Sequence, residues 1–281
     1  MQTPSPIIDI HTHVFPDAVA AVAIPALETE GDVTAFYDGT VGGLLTVMDR
    51  AGIDVSVVQP VATKASQVCT INDFSASLAS DRIIPFGAMH PDFADPAAEV
   101  ARMASLGIRG FKMHPEYQAF EPHEPRMAAI YDAAVEHDMI LLFHAGGDIA
   151  FDTVRGTPEA FGAVLDAWPD LCVILAHLGG FRQWEAVAEH VIGRDVWLDT
   201  SYTLDHLPDE EFLALVRAHG TDRVLFGSDG PWTDPVVELA HLEELGLADD
   251  EFAAILGGNA RRLLDAHARV PLPDTAGPTC G

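Results

Sequence analysis

The sequence predicts a single (β/α)₈ TIM barrel of the α/β class, and three observations carry that prediction. Eight short apolar runs recur along the 281 residues, segments with helical spacing separate them, and the runs are apolar at consecutive rather than alternate positions. Strands without a polar face belong to a parallel sheet covered by helices. Eight strand–helix units close into a barrel. The competing open, doubly wound sheet would carry a glycine-rich phosphate turn after its first strand, whereas this one is followed by HTHVFPD.

Taken in order, the runs are IIDIHTH (7–13), VSVVQP (55–60), IIPFGAMHP (83–91), IRGFKMHP (108–115), MILLFHAG (139–146), CVILAHLG (172–179), VWLDTS (196–201) and VLFGSDGP (224–231). In the first, strand alternation puts Asp9, His11 and His13 on one face and Ile8, Ile10 and Thr12 on the other. Between the runs lie GGLLTVMDRAG, PAAEVARMASLG, EPRMAAIYDAAVEHD, FRQWEAVAEHVIG and DEEFLALVRAHG. Several begin after Asp or Pro and stop at Gly, where backbone groups at helix ends find partners and a left-handed residue is tolerated. No repeat or linker interrupts the pattern. The barrel is expected over residues 1–269, with VPLPDTAGPTCG (270–281) as a flexible tail.

The composition narrows the function. The chain carries 43 acidic residues against 15 Lys and Arg, a net charge of −28, and its only lysines are Lys64 and Lys112. Such a charge repels nucleic acid and anionic membranes. Because the acidic residues are interspersed through well-patterned apolar segments, a folded protein with a solvated acidic surface is expected, adapted to a salty cytoplasm where a Debye length of about 3 Å at 1 M screens self-repulsion. Cys69, Cys172 and Cys280 are scattered and form no CxxC, so neither disulfides nor a thiolate metal site is indicated. No secretion signal or membrane span is read, so a cytoplasmic location is expected.

Nearly every strand ends in a residue capable of metal or proton chemistry: His11 and His13, His90, Lys112 and His114, His144, His177, Asp199 and Asp229. In a barrel the C-terminal strand ends surround the active site, so these residues converge despite their separation in sequence. His90 and Asp199 read either as supports for that site or as loop anchors. His123, His137, His190, His206, His219, His241 and His267 fall in helices or connections and read as surface residues.

The ordered set HTH, K-x-H-P, F-H-A-G, A-H-L-G-G, D-T-S and F-G-S-D-x-P-W, closing with G-G-N-A-R-R-L-L, resembles the amidohydrolase superfamily. The closer resemblance is to its amidohydrolase-related branch of aminocarboxymuconate-semialdehyde decarboxylase-like proteins. It covers essentially the whole chain. It implies a catalytic divalent metal held by His11, His13, His144 and Asp229, with His177 either catalytic or a ligand to a second ion. Binuclear members carry a carboxylated lysine at the end of the fourth strand, which raises that role for Lys112. A charge or hydrogen bond inside the barrel is the expectation for Lys112, with His114 also within reach of the metals.

Imidazole and carboxylate donors suit Zn²⁺, the first choice, and also Mn²⁺, Fe²⁺ or Co²⁺, with one ion expected rather than two. Such an ion activates water and polarises a carbonyl. Asp229 is then the general base and His177 the group that stabilises or protonates the oxyanion. The expected reaction is hydrolysis of an amide, ester or lactone in a small polar molecule. The alternative is non-oxidative decarboxylation of a carboxylated substrate, and a third reading is a metal-binding protein without catalysis. Candidate substrate contacts are Tyr117, Gln118, Asp148, Arg182 and Trp232, of which Arg182 points to an anionic substrate. The expected partner is this small molecule, with a homo-oligomer compatible with the sequence.

Overall fold

A computed structural model describes residues 6–267. The proposed tail, 270–281, and the domain limit at 269 lie outside the described residues. The strands are β1 (Ile8–Thr12), β2 (Val55–Val58), β3 (Ile83–Pro85), β4 (Gly87–Ala88), β5 (Gly110–Met113), β6 (Ile140–Phe143), β7 (Val173–Leu175), β8 (Trp197–Asp199) and β9 (Val224–Leu225). All pair in parallel, in the orders β1-β2-β3 and β4 through β9. The third apolar run supplies both β3 and β4, broken at Phe86, whose N–H donates to Val58 O (3.0 Å). The ring closes where Ile10 N donates to Phe226 O (2.9 Å), Asp229 N to His11 O (2.8 Å) and His13 N to Gly230 O (2.7 Å).

Strand residues from around the ring fill the interior: Ile8, Ile10, Val57, Phe86, Leu142, Ile174 and Leu225 pack together with Ala260, Leu263 and Leu264. The last three belong to the helix Asn259–Ala266, which touches β1 and β9. Arg262 of this helix stacks over Trp197, the first residue of β8, at 5.3 Å, so the helix plugs the end of the barrel where strands begin. A π turn, Ala254–Gly258, brings that helix against the chain entering β1. A Cβ at Gly257 would lie 1.8 Å from Pro6 O, so only glycine allows this approach.

The helices Val41–Ala51 and Pro96–Ser105 follow predicted segments, capped by Thr40 and Asp95, which accept from Gly43 N and Ala98 N. The helix Pro158–Ala167, capped by Thr157 accepting from Ala160 N, lies outside the segments named from the sequence. A further helix, Asp17–Gly31, was not foreseen. It buries only Ala20 and Ile24 and is apolar on most sides, so it carries no amphipathic period to detect. Two expectations are corrected. The alternation along β1 fails, because the register shifts between Asp9 and Thr12. Ile10 faces the apolar interior, yet His11 also reaches the barrel axis. His219 is buried rather than on the surface, donating from Nε2 to Val196 O (2.9 Å) and accepting from Gly193 N (3.2 Å). No helix of the described residues is long and apolar enough to cross a membrane.

Candidate metal centre

Four imidazoles at the strand ends are each held from outside by an oxygen acceptor. His11 Nδ1 lies 2.9 Å from Asp199 Oδ2, His13 Nδ1 2.6 Å from Gln59 O, His144 Nε2 2.8 Å from Gly147 O and His177 Nδ1 2.9 Å from Ser201 O. Carbonyls and carboxylates accept, so each ring donates there and its other nitrogen is left with a bare lone pair. This is how ligating imidazoles are oriented.

The bare nitrogens meet one another and a carboxylate. Nε2 of His11 and of His13 lie 3.3 and 3.1 Å from Asp229 Oδ1, and Nδ1 of His144 lies 2.9 Å from Nε2 of His177. Lone pairs at these separations repel unless a positive charge sits among them; at His11 the Lys112 amine, 3.0 Å from Nε2, can donate to the lone pair. Burial and the charges of His114 and His177 hold His144 far below the usual imidazole range, so a proton does not supply that charge near neutrality. A divalent ion does, and the nitrogen and oxygen donors suit one.

The donors divide into groups. His11, His13 and Asp229 lie within 4.8 Å of one another, as do His114, His144 and Asp148. The expected four-ligand set of His11, His13, His144 and Asp229 is therefore split, with His144 falling in the second group. Lys112 lies near the first, its Nζ 3.0 Å from His11 Nε2, and burial lowers its amine to about 8. Burial and then Lys112 lower His11 to about 4.

Asp199 ties the site together. Its Oδ2 accepts from His11, and its Oδ1 accepts from His177 N (3.0 Å), Ser201 N (3.1 Å) and Ser201 Oγ (2.5 Å). Burial alone would raise this carboxyl, but the charge and hydrogen bond of His11 outweigh it and hold it at about 2. Asp229 stays ionised for a similar reason: against burial stand the charge of His11 and the contact with His13. Asp9 anchors the loop that carries Asp229, accepting from Ser228 N (3.0 Å), Ser228 Oγ (2.6 Å) and His11 N (3.1 Å).

Aromatic side chains wall the mouth. Tyr117 packs edge-on against His114 (4.7 Å) and Phe151 (4.9 Å), while Phe181 meets Tyr202 (5.6 Å) and His177 (6.1 Å). The Tyr202 phenol, raised chiefly by burial, also feels the charges of Asp229, Arg182 and Asp148. Arg182 is exposed, its guanidinium 4.9 Å above the Phe181 ring. His177, Arg182, Tyr202 and Asp229 all hold left-handed backbone (φ 59°, 58°, 51° and 65°), a conformation that costs non-glycine residues roughly 1–3 kcal/mol and gathers at functional sites.

Several sequence candidates have other roles. Gln118 is consumed by backbone, donating to Ala62 O (2.8 Å) and Met89 O (2.6 Å) and accepting from His114 N (2.9 Å), so it fastens loops and presents no free group. His90 caps its own turn by accepting from Asp92 N (3.1 Å). Trp232 is half-buried, and its N–H closes a turn on Asp229 O (2.9 Å). Asp148, in contrast, reaches His114 Nε2 at 3.3 Å. Sequence reasoning missed Gln59, Phe151, Phe181, Ser201 and Tyr202. Ser201 and Tyr202 directly follow the strand ending in Asp199, the one local signal available.

Fold and site together define an amidohydrolase-type barrel enzyme with candidate metal-binding groups at its mouth. The chain belongs to the amidohydrolase family, whose model matches residues 8–266. Among curated proteins none matches in sequence. Among solved structures, an uncharacterised TIM-barrel protein from Bordetella bronchiseptica is 21% identical, with 93% of this chain and 98% of that one covered and a TM-score of 0.76. A 2,6-dihydroxybenzoate decarboxylase from Rhizobium is 16% identical (93% and 99% covered, TM-score 0.69). A 5-carboxyvanillate decarboxylase from Novosphingobium aromaticivorans, with bound manganese, is 15% identical (92% and 97%, TM-score 0.70). At these identities the likeness is one of fold.

Proposed function

We propose that the protein is a metal-dependent, non-oxidative decarboxylase of a small planar carboxylate, aromatic or conjugated. The observation that carries this reading is the pairing of aromatic walls, Tyr117 with Phe151 and Phe181 with Tyr202, with a floor of imidazole and carboxylate donors. Aromatic walls bind a flat ring by its faces and edges. The activities of two of the structural neighbours, both decarboxylases of aromatic acids, support it as well.

His11, His13 and Asp229, with Lys112 nearby, would hold one ion, and His144, grouped with His114 and Asp148 and facing His177, a second. Two donor groups favour two ions over the single one expected from the sequence. Zinc was the first choice there, and manganese gains weight from the neighbour that binds it. When bound, the metal would polarise the substrate's oxygens and stabilise the electron pair left behind as CO₂ departs. Asp199 keeps His11, and the Ser201 carbonyl keeps His177, in the tautomers that face inward. Arg182 offers a cation to an anionic substrate from the rim, and the mouth aromatics hold the ring and keep water from the carbon that must take up a proton.

Hydrolysis of a lactone, ester or amide is the second reading, favoured by the ionised Asp229 set between two imidazoles, where it can take a proton from water. The test is a screen of the metal-loaded protein against aromatic and muconate-type carboxylates, lactones, esters and amides, scoring CO₂ and hydrolysis products together. CO₂ release from an aromatic acid is the expected result. Hydrolysis of a neutral lactone or ester, with no CO₂ from any acid, would overturn the proposal.

A further inference from the structure

His11, His13 and His177 donate from Nδ1, but His144 donates from Nε2, to the Gly147 carbonyl at 2.8 Å. This reversed tautomer is what aims its Nδ1 lone pair at His177 Nε2, 2.9 Å away. The orientation of the ring therefore depends on one carbonyl at the start of a loop.

The loop spans residues 147–155 and closes where Gly146 N donates to Gly156 O (2.7 Å). Gly147 N donates to Phe181 O (2.9 Å), which fixes the nitrogen side of that residue. Its carbonyl belongs to the peptide leading into Asp148, and a glycine places few limits on that direction. Asp148 accepts from Ala150 N at its carboxylate (2.8 Å) and from Phe151 N at its carbonyl (3.2 Å), bonds that stay within the loop. Among the described residues, the hydrogen bonds that tie residues 148–155 to other parts of the chain both end on Glu116. Thr153 Oγ1 donates to its Oε2 (2.7 Å) and Arg155 N to its Oε1, with the Arg155 guanidinium 3.6 Å from Oε2. Glu116 is buried in the short helix Pro115–Gln118 that follows β5. A buried carboxylate is costly unless its oxygens are satisfied, and here the loop satisfies them, so the two hold each other in one position.

We propose that Glu116 is a positioning residue: by anchoring loop 147–155 it aims the Gly147 carbonyl at His144 Nε2 and keeps the Nδ1 lone pair of His144 turned into the metal centre. The inference deepens the proposed function and rests on it for the consequence at the metal, whereas the tautomer itself is a property of the metal-free protein.

The test reads the histidine tautomers of metal-free, ¹⁵N-labelled protein by long-range ¹H–¹⁵N correlation near pH 8, where imidazoles are ordinarily neutral. His144 is expected as the Nε2–H form, with His11, His13 and His177 as Nδ1–H references. In Glu116→Ala the His144 ring should become a mixture of both forms while the three references keep theirs. Glu116→Gln retains a carbonyl for Arg155 N and an amide that can donate to Thr153 Oγ1, so it should restore the single form. Thr153→Val, at an exposed position, removes one donor without emptying a buried site and should give a smaller share of the second form, which decides the matter if Glu116→Ala does not fold. A brace for stability alone would lower the melting temperature of these variants and leave every tautomer as it is. That result, or an Nδ1–H form of His144 in the unaltered protein, overturns the role of Glu116 and leaves the metal centre standing. Calorimetric titration with Mn²⁺ gives the second readout: loss of the orienting hydrogen bond in Glu116→Ala should weaken binding at the His144 group about 10- to 100-fold. Mixed tautomers with Mn²⁺ binding unchanged would uphold Glu116 as the residue that sets the ring and overturn the reading of His144 as a metal donor.

Discussion

Nδ1 of His144 and Nε2 of His177 face each other at 2.9 Å while the far nitrogen of each ring donates to a backbone carbonyl, so neither has a hydrogen to offer the other. The pair is stable when a cation lies between them. Stripping the protein with a chelator should therefore lower its melting temperature, and adding back Zn²⁺ or Mn²⁺ should restore it. Elemental analysis is expected to give two ions per chain. One ion per chain would return His144 and His177 to supporting roles, and extra mass on Lys112 would mark it as carboxylated.

Asp229 is placed to hold metal and to move a proton, and substitution separates the two. Asp229→Asn keeps an oxygen but cannot take up a proton, so much of the metal should stay while turnover falls about 10²- to 10⁴-fold. His11→Ala removes a donor outright. Its metal content and activity should fall together, with partial rescue by excess metal. Near-native turnover in metal-loaded Asp229→Asn would move the proton to another group, most directly His177.

Arg182 tests for substrate charge. The side chain is exposed, so solvent screens any pair it makes to less than about 1 kcal/mol. Arg182→Met should raise KM for a carboxylate by up to about fivefold, with kcat little changed, and should leave neutral lactones unaffected. An unchanged KM for every active carboxylate would remove Arg182 from the site.

Asp9 predicts a pH effect on stability. Burial raises its carboxyl from 3.8 to about 7, against the hydrogen bonds from Ser228. Between those values the folded protein holds a proton that the unfolded chain has released, so this contribution is full below about 3.8 and is lost as pH rises toward 7. Its upper bound is about 4 kcal/mol, at 1.36 kcal/mol per unit. His11, lowered to about 4, slopes the other way. Urea unfolding of metal-free protein and of Asp9→Asn across pH 4 to 7, compared point by point, should isolate the Asp9 slope. Parallel curves would show that Asp9 is ionised in the fold.

The charge of −28 predicts a salt dependence. Molar KCl should raise the melting temperature by screening self-repulsion. A melting temperature that is unchanged or lower in salt would count against adaptation to a salty medium.

Much of the fold was legible in the order of the residues. Eight apolar runs alternating with capped, amphipathic segments leave a parallel barrel as the arrangement that covers every strand, because each unpaired strand edge and each apolar helix stripe must find a neighbour. The strand-end histidines and Asp229 were legible for the same reason, since the barrel sends every C-terminal strand end to one mouth. Helix Asp17–Gly31 was not, because it lacks an amphipathic stripe. The aromatic walls were not either: Phe151, Phe181 and Tyr202 sit on loops whose paths depend on contacts made far away in sequence.

By itself, then, the sequence determined the barrel, the set of chemically capable residues at its mouth and the family motifs. Tertiary structure alone decided how those residues are grouped. The register shift in β1 turns His11 toward Lys112, and Asp199 reaches across 188 positions to set the His11 tautomer. Patterns of burial are written locally, in periodicity that any short window reveals. The direction of a lone pair is fixed by whichever acceptor stands behind the ring, and that acceptor comes from another strand.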